Sequence, residues 1–342
     1  MYTVGSMFAG VGGICLGFKK SGFKLVWANE YNKKAAVTYG LNFKHSLDTR
    51  DVSDNVLPEE FSGVDVITSG FPCQAFSVAG YRQGFADEKG RGILFLHTAN
   101  FIDKMKPKAF LLENVKNLAG HDGGKPLRTI KNVMQNDLGY SFIPFIKNSK
   151  DFGVPQTRER IYIVGFRDEA GFNSEGMFEG VNMNDPEEYP CSCSFKLPDG
   201  IDSKPCVRDF LFLQRQDDKY YYNKDHAYYA ELNKTMRSKQ TVYQWRRVYV
   251  RENKSNLCPT LTANMGTGGH NVPLIRDDYG IRKLTPEECF SMQGFYLINE
   301  NYKLPETLAD SHLYKQAGNS VAVPVVKAIA DNLKRALDIR YL

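Results

Sequence analysis

Cys73 has the strongest claim to chemistry in this chain. It stands in Gly70-Phe71-Pro72-Cys73-Gln74-Ala75-Phe76-Ser77, just past the apolar run Val64-Asp65-Val66-Ile67, and Pro72 constrains its approach. A thiol at a strand end, near a helix N-terminus and cationic groups, has a lowered pKa and acts as a nucleophile. An arbitrary cysteine is more often buried and inert, but the polar, constrained Pro-Cys-Gln surroundings argue against burial here. Glu113, in Glu113-Asn114-Val115, ends a second apolar run. A carboxyl shielded enough there to keep its proton suits a hydrogen bond to a ring nitrogen. Gln156-Thr157-Arg158-Glu159-Arg160 sets two arginines on one face if extended, suited to a carbonyl and a phosphate. Standing alone, that pair would read as two solvated surface arginines.

A second group of residues suits a nucleoside. Phe8-Ala9-Gly10-Val11-Gly12-Gly13 follows an apolar run and opens a helical one, so backbone N–H groups can approach a ligand. It lacks the third glycine of a dinucleotide site, and by itself it is equally a tight turn. Glu30 ends the next run, where an acid accepts from both hydroxyls of a ribose; its alternative is a helix N-terminal acid favoured by the dipole. Asp51 could accept from an adenine amino group. The ligand suggested is an adenosine that needs no pyrophosphate grip.

These residues require elements that bring them to one edge. Strands are expected at Tyr2 to Phe8, Lys24 to Asn29, Val64 to Ile67, Ala109 to Leu112 and Ile161 to Val164. Helices are expected at Gly12 to Lys20, Asn32 to Leu41, Ile93 to Met105 and Pro126 to Leu138. The alternation predicts an α/β fold, a doubly wound, mostly parallel sheet, whose ligands collect beyond the carboxyl ends of the strands. The glycine turn, Glu30, Cys73 and Glu113 all fall there. Apolar residues at Val325, Val326, Ile329, Ala330, Leu333 and Leu337 predict a closing amphipathic helix over Val323 to Leu337.

Composition sets the outer bounds. The 342 residues allow one large domain plus a smaller one, and 42% hydrophobic content fits a globular enzyme. No secretory leader and no apolar run of about eighteen residues is present, so a cytoplasmic protein is expected. Seven cysteines, an odd number, favour free thiols, and Cys191, Cys193 and Cys206 lack a zinc-type spacing. The net charge of +5 is too mild to prove nucleic-acid binding. Its distribution says more: residues 168–188 hold seven acids and no Lys or Arg, whereas 234–254 hold seven basic residues against Glu252 alone. An acidic connector before a basic surface predicts a domain junction, with a second, weakly patterned domain.

In their order these segments resemble the DNA (cytosine-5) methyltransferases of the bacterial restriction-modification type. The resemblance extends to Arg282-Lys283-Leu284-Thr285-Pro286-Glu287-Glu288, Gln293-Gly294-Phe295 and Tyr314-Lys315-Gln316-Ala317-Gly318-Asn319-Ser320-Val321. It runs from Met7 to about Val326, apart from the region between Arg167 and Leu257; Met7 and Val11 are small apolar departures. It implies a Rossmann-like methyltransferase fold, with residues 1–190 and 311–342 catalytic, 191–280 for target recognition and 281–310 as a hinge.

The same resemblance implies that Cys73 adds to carbon 6 of a cytosine flipped out of double-stranded DNA and that Glu113 supports the ring at nitrogen 3. Arg160 matches the contact to the base carbonyl and Arg158 lies beside the nucleophile. The implied cofactor is S-adenosyl-L-methionine, leaving as S-adenosyl-L-homocysteine, with no metal. Its contacts would be Phe8, Ala9, Gly10, Gly12, Glu30, Tyr31, Asp51, Val52, Pro72, Leu94, Asn319 and Val321. DNA contacts would be Gln74, Ser77, Gln83, Arg246, Arg247, Arg251 and Gly268, and the glycine-rich stretch between Cys73 and Leu94 would be a mobile loop closing over the DNA. A monomer, with a possible companion endonuclease acting on the same site, is implied as well.

Three rivals are weaker. A nicotinamide oxidoreductase would share the sheet but offers no role for Pro72-Cys73-Gln74. A catalytically dead DNA-binding relative would be expected to lose Cys73 or Glu113. Relatives acting on tRNA carry Cys-Phe-Thr, which does not occur here.

Overall fold

The computed structural model describes residues 1–54, 61, 63–72, 94–167, 195–246, 248–267 and 271–341. Cys73, Gln74, Ser77, Gln83, the expected loop, the acidic connector, Arg247 and Gly268 lie outside the described residues.

The first half alternates as its hydrophobic pattern requires. β1 (Thr3–Met7), α1 (Gly13–Lys20), β2 (Lys24–Asn29), α2 (Lys33–Asn42) and β3 (Ser46–Asp48) are followed by β4 (Val66–Ser69). Then come α3 (Leu94–Met105), β5 (Ala109–Val115), α4 (Lys125–Lys131), β6 (Ile143–Asn148), β7 (Gln156–Thr157) and β8 (Glu159–Phe166). Asn32 starts α2 by accepting from Lys34 N and Ala35 N, which satisfies two of the amides a helix start leaves unpaired. The seven-stranded sheet runs β3-β2-β1-β4-β5-β8-β6. β1 to β5 pair in parallel, and β8 is antiparallel to both β5 and β6. A reversed strand can follow a neighbour through a short connection, so β6, β7 and β8 crowd into one region without long crossovers.

Both faces of the sheet are covered, and the two-residue side-chain period of a strand shows why. Ala109 and Leu111 of β5 pack with Ile14 and Phe18 of α1 and Val325, Ile329 and Leu333 of the last helix. Phe110 and Leu112 point the other way, to Phe95, Ala99 and Ile102 of α3 and Ile130 of α4.

The region expected to lack regular patterning contains a sheet of its own. After α5 (Tyr229–Thr235), the strands β9 (Tyr243–Arg246), β10 (Tyr249–Glu252), β12 (Leu274–Arg276) and β13 (Ile281–Lys283) form an antiparallel sheet ordered β10-β9-β12-β13. β11 (Cys258–Pro259) instead pairs with β7 of the large unit. Strands of three or four residues give too little alternation to read from sequence. Leu232 and Met236 pack with Tyr243, Val250, Leu274 and Ile281, a small core separate from the main ones.

The chain returns through α6 (Pro286–Met292), α7 (Phe295–Ile298), α8 (Asp310–Asn319) and α9 (Val323–Tyr341). At the crossing from β13 to α6, Arg282 donates to both oxygens of Glu288, at 2.6 and 2.7 Å, and to Asp277 at 2.6 Å. Both Arg282 and Glu288 are fully buried. Burial works against the Arg282 charge, but its hydrogen bonds and ion pairs outweigh that and hold it protonated. Thr285 caps α6 and Glu288 bonds back to the Thr285 amide, so the ion pair and the helix start share one carboxylate. Glu288→Ala would leave the guanidinium without its main partner, at an expected cost of about 3–5 kcal/mol. Denaturant unfolding that differed from the parent by less than about 1 kcal/mol would show that the pair does not anchor this crossing.

Candidate active site

A cavity of about 750 Å³ opens beyond the carboxyl ends of β1, β2, β4 and β5. One end of it suits a nucleoside. Phe8 takes φ 51° and Gly10 φ 58°, both left-handed, and a Cβ on Gly10 would meet nothing within 4 Å. A left-handed non-glycine residue is strained, and such strain gathers where a turn is shaped for a ligand. Glu30 accepts from Gly10 N and Asn32 N, both at 2.7 Å. Each carboxylate oxygen thus spends one acceptor position on the backbone and keeps another for the cavity. Burial raises the Glu30 pKa, and the amides of Asn32 and Gly10 only partly offset it.

Tyr31, exposed, and Val52, buried, stand at the same end. Asp51 lines it too, although its Oδ1 already accepts from the amide and hydroxyl of Ser53. Ala9, Pro72, Leu94, Asn319 and Val321 complete the cofactor residues expected to line the space. Gly12, expected among them, is absent from the lining; it starts α1 at φ 85°.

The other end holds the acid and the arginines. Arg160 Nε lies 3.2 Å from Glu113 Oε1. Burial pushes the Glu113 carboxyl up, against the opposing pull of Arg160 and then Arg158. A carboxyl so placed keeps a proton more readily than a surface glutamate and can donate it to a ring nitrogen. Asn114, whose part was not evident from local spacing, donates from Nδ2 to Phe71 O at 2.9 Å and holds the Gly70 to Pro72 segment at the cavity wall. The chain leading to Cys73 therefore departs from beside Glu113.

The two arginines share a cavity but differ in their bonds. Arg158 is 3% exposed and donates to Leu261 O at 2.7 Å, Gly318 O at 3.1 Å and Ser320 O at 2.5 Å. Burial and the neighbouring Arg160 lower its pKa. Three carbonyl acceptors still favour the charged form, as the basicity of a guanidinium requires. Gln156, fully buried, works beside it: Nε2 donates to Met292 O and Gln293 Oε1, and Oε1 accepts from Leu261 N. The Gly318 to Ser320 turn and the Leu261 segment are thereby tied to the start of β8. Gly318 is required there, because a Cβ would stand 2.1 Å from the Thr262 carbonyl carbon.

Arg246 and Arg251 do not reach this cavity. They stand on the exposed face of the β9–β10 hairpin, both donating to Gln244 Oε1. Strand alternation puts Gln244, Arg246, Tyr249 and Arg251 on one face, with Tyr243 and Val250 turned to the small core. His312, Lys315 and Gln316 line the cavity from α8. Lys315 and Gln316 fall in a segment the sequence singled out, whereas His312 carried no signal. Among the described residues no group of three His, Cys, Asp or Glu side chains is placed to hold a metal ion, and no helix is long and apolar enough to cross a membrane.

The mostly parallel sheet with its reversed strand β8 is the fold of a Rossmann-like methyltransferase, and solved structures share the architecture. S. pombe Dnmt2 methyltransferase superposes with a TM-score of 0.69 at 18% identity, over 100% of both chains. A Spodoptera frugiperda DNMT2 mutant does so at 0.68 and 18%, over 98% of this chain and 100% of that one.

Within that class the chain belongs to the C-5 cytosine-specific DNA methylase family, whose profile matches residues 2–335. It is a DNA (cytosine-5)-methyltransferase, of a family that depends on S-adenosylmethionine. It is 50% identical to the Type II methyltransferase M.Bsp6I of Bacillus sp. (strain RFL6), over 98% of this chain and 100% of that protein. Type II methyltransferase M.HpaII of Haemophilus parainfluenzae is 34% identical over 99% and 91%, and M.HhaI of Haemophilus parahaemolyticus 32% over 98% and 94%.

The arrangement around Arg158 yields a stability prediction. A lysine ammonium cannot reproduce a planar fork aimed at three carbonyls, so Arg158→Lys is expected to cost on the order of 2 kcal/mol. Unfolding midpoints equal to the parent would show that the three bonds are not needed.

Proposed function

We propose that the protein flips a cytosine out of double-stranded DNA and methylates its carbon 5 through a covalent Cys73 adduct at carbon 6. The observation that carries this reading is the shared cavity: the Glu30 cradle at one end, Glu113 with Arg160 at the other, and the strand end leading to Cys73 between them. The target carbon is stacked inside a duplex, so it has to leave the stack to enter the cavity. The fit to S-adenosylmethionine rests on the open space over Gly10, the spare acceptor positions of Glu30, and a volume in the range of small-molecule sites.

Phe8, Ala9 and Gly10 would hold the cofactor from the first turn, Glu30 at the ribose, Tyr31, Asp51 and Val52 at the adenine, and Pro72, Leu94, Asn319 and Val321 along the rest. When bound, S-adenosylmethionine supplies an electrophilic methyl group. The chain's own residues do the activation. Cys73 thiolate forms a bond to carbon 6 while Glu113, keeping its proton through burial, donates toward nitrogen 3, so electron density moves to carbon 5. Arg160, which pairs with Glu113, would contact the base carbonyl. Arg158 supports this edge by fixing the Gly318 to Ser320 turn. After methylation, loss of the carbon 5 proton and departure of Cys73 restore the aromatic ring.

Arg246 and Arg251 extend the reading to DNA recognition from the small unit, together with Gln74, Ser77, Gln83, Arg247 and Gly268. Likeness to proteins named Type II methyltransferases supports a protective role beside a companion endonuclease. The chain is proposed to work as a monomer and without a metal.

Bisulfite sequencing of DNA from cells expressing the protein is expected to show a methylated cytosine in a fixed sequence context, lost in Cys73→Ala. Persistence of that methylation in the variant would refute the covalent mechanism. The Glu30 shift gives a pH dependence with a definite sign. The ionised carboxylate is the form that accepts from ribose hydroxyls, and its raised pKa lies above the ordinary 4.5. S-adenosylmethionine affinity should therefore fall as the pH drops through that raised value, while Glu30→Gln binds more weakly with no such dependence. A calorimetric titration that gave the parent a flat profile would remove Glu30 from the ribose.

A further inference from the structure

A second cavity, of about 480 Å³, lies between the small sheet and the start of α8, and it shares no lining residue with the first. Its walls include Lys219, Tyr220, Lys283, Asp310 and Tyr314. Lys219 Nζ stands 4.9 Å from the Tyr220 ring centre and 3.0 Å from Asp310 Oδ2. Lys283 Nζ stands 5.7 Å from the ring centres of both Tyr220 and Tyr314. Tyr314 is held in place by its hydroxyl, which donates to Leu284 O at 2.6 Å.

The two lysines are in different situations. Lys219 has a carboxylate. Lys283 makes no ion pair among the described residues, although it is half-buried and enclosed by aromatic faces. Burial, opposed by Asp310 and reinforced by Lys219, lowers its pKa. A ring face attracts an ammonium but offsets only part of its lost hydration, so an anion entering the cavity gains a partly desolvated partner. Asp310 would oppose that anion, and Lys219 screens it.

We infer that this cavity receives a backbone phosphate of the bound DNA, with Lys283 as the cation that meets it. The inference rests on the reading of double-stranded DNA as substrate. The exposed arginines of the β9–β10 hairpin belong to the same four-stranded sheet as Lys283, so that basic face and one wall of the cavity share a sheet. The contact is blind to sequence: it positions the duplex and leaves base readout to other residues.

The test is equilibrium binding of a labelled short duplex across a range of salt. Lys283→Gln is expected to weaken binding on the order of three- to tenfold at low salt, and to make the slope of log affinity against log salt shallower by about one, equally for different sequences. Lys283→Arg should keep both. Asp310→Asn, which removes the opposing carboxylate and releases Lys219, should tighten binding and steepen the slope. S-adenosylmethionine affinity should be the same in all three. Slopes that Lys283→Gln and Asp310→Asn both leave unchanged would overturn the site. Adenosine monophosphate that binds the parent without DNA, and not Lys283→Gln, would reassign the cavity to a free nucleotide. Methyl transfer by the parent to the same duplex separates the readings: its absence sinks DNA as substrate, whereas transfer with unaltered slopes sinks only the phosphate site.

Discussion

The buried guanidinium of Arg158 is the interaction on which the site depends. It gathers three backbone carbonyls from Leu261, Gly318 and Ser320, all distant in sequence, around the start of β8. Each of those carbonyls would be costly to bury unpaired, and so would the charge; together they satisfy one another. The consequence is geometric. The turn carrying Asn319 and Val321 is fixed against the sheet edge that carries Glu113, so one cavity has walls from both ends of the chain. Gln156 repeats the device with a neutral amide, joining Met292, Gln293 and Leu261.

Given that frame, electrostatics divides the cavity. At one end Glu30 is tied to two amides, and at the other Glu113 faces Arg160 in a buried setting. Both carboxyls are pushed up by burial, but their partners differ. Backbone amides fix Glu30 as an acceptor, whereas Glu113 is set between burial, which favours its proton, and the Arg160 guanidinium, which opposes it. Two acids of similar pKa direction are thereby suited to different tasks.

The small unit is joined to the large one by the fully buried pair of Arg282 and Glu288 and by the short β7–β11 pairing. Its own core is modest, six buried side chains around a four-stranded sheet. Apolar contacts add to that join, since Val242 and Ile275 pack in one core with Leu284, Phe290 and Phe295, while the outer face of the small sheet carries charged side chains.

Much of this was legible in the sequence. The alternation of apolar runs fixed the strands β1, β2, β4, β5 and β8 and the helices between them, because periods of two and of 3.6 residues are local properties. The ordered motifs identified the family. Tertiary structure alone decided three things. Strand spacing put Arg158 and Arg160 on one face, yet Arg158 turned to distant carbonyls and Arg160 to Glu113, since hydrogen-bond partners a hundred residues away leave no trace in local spacing. The short strands β9, β10, β12 and β13 were too brief to show a period and exist by pairing with one another. The second cavity, with Lys283 over Tyr220 and Tyr314, is assembled from four separate segments, and only packing brings such segments together.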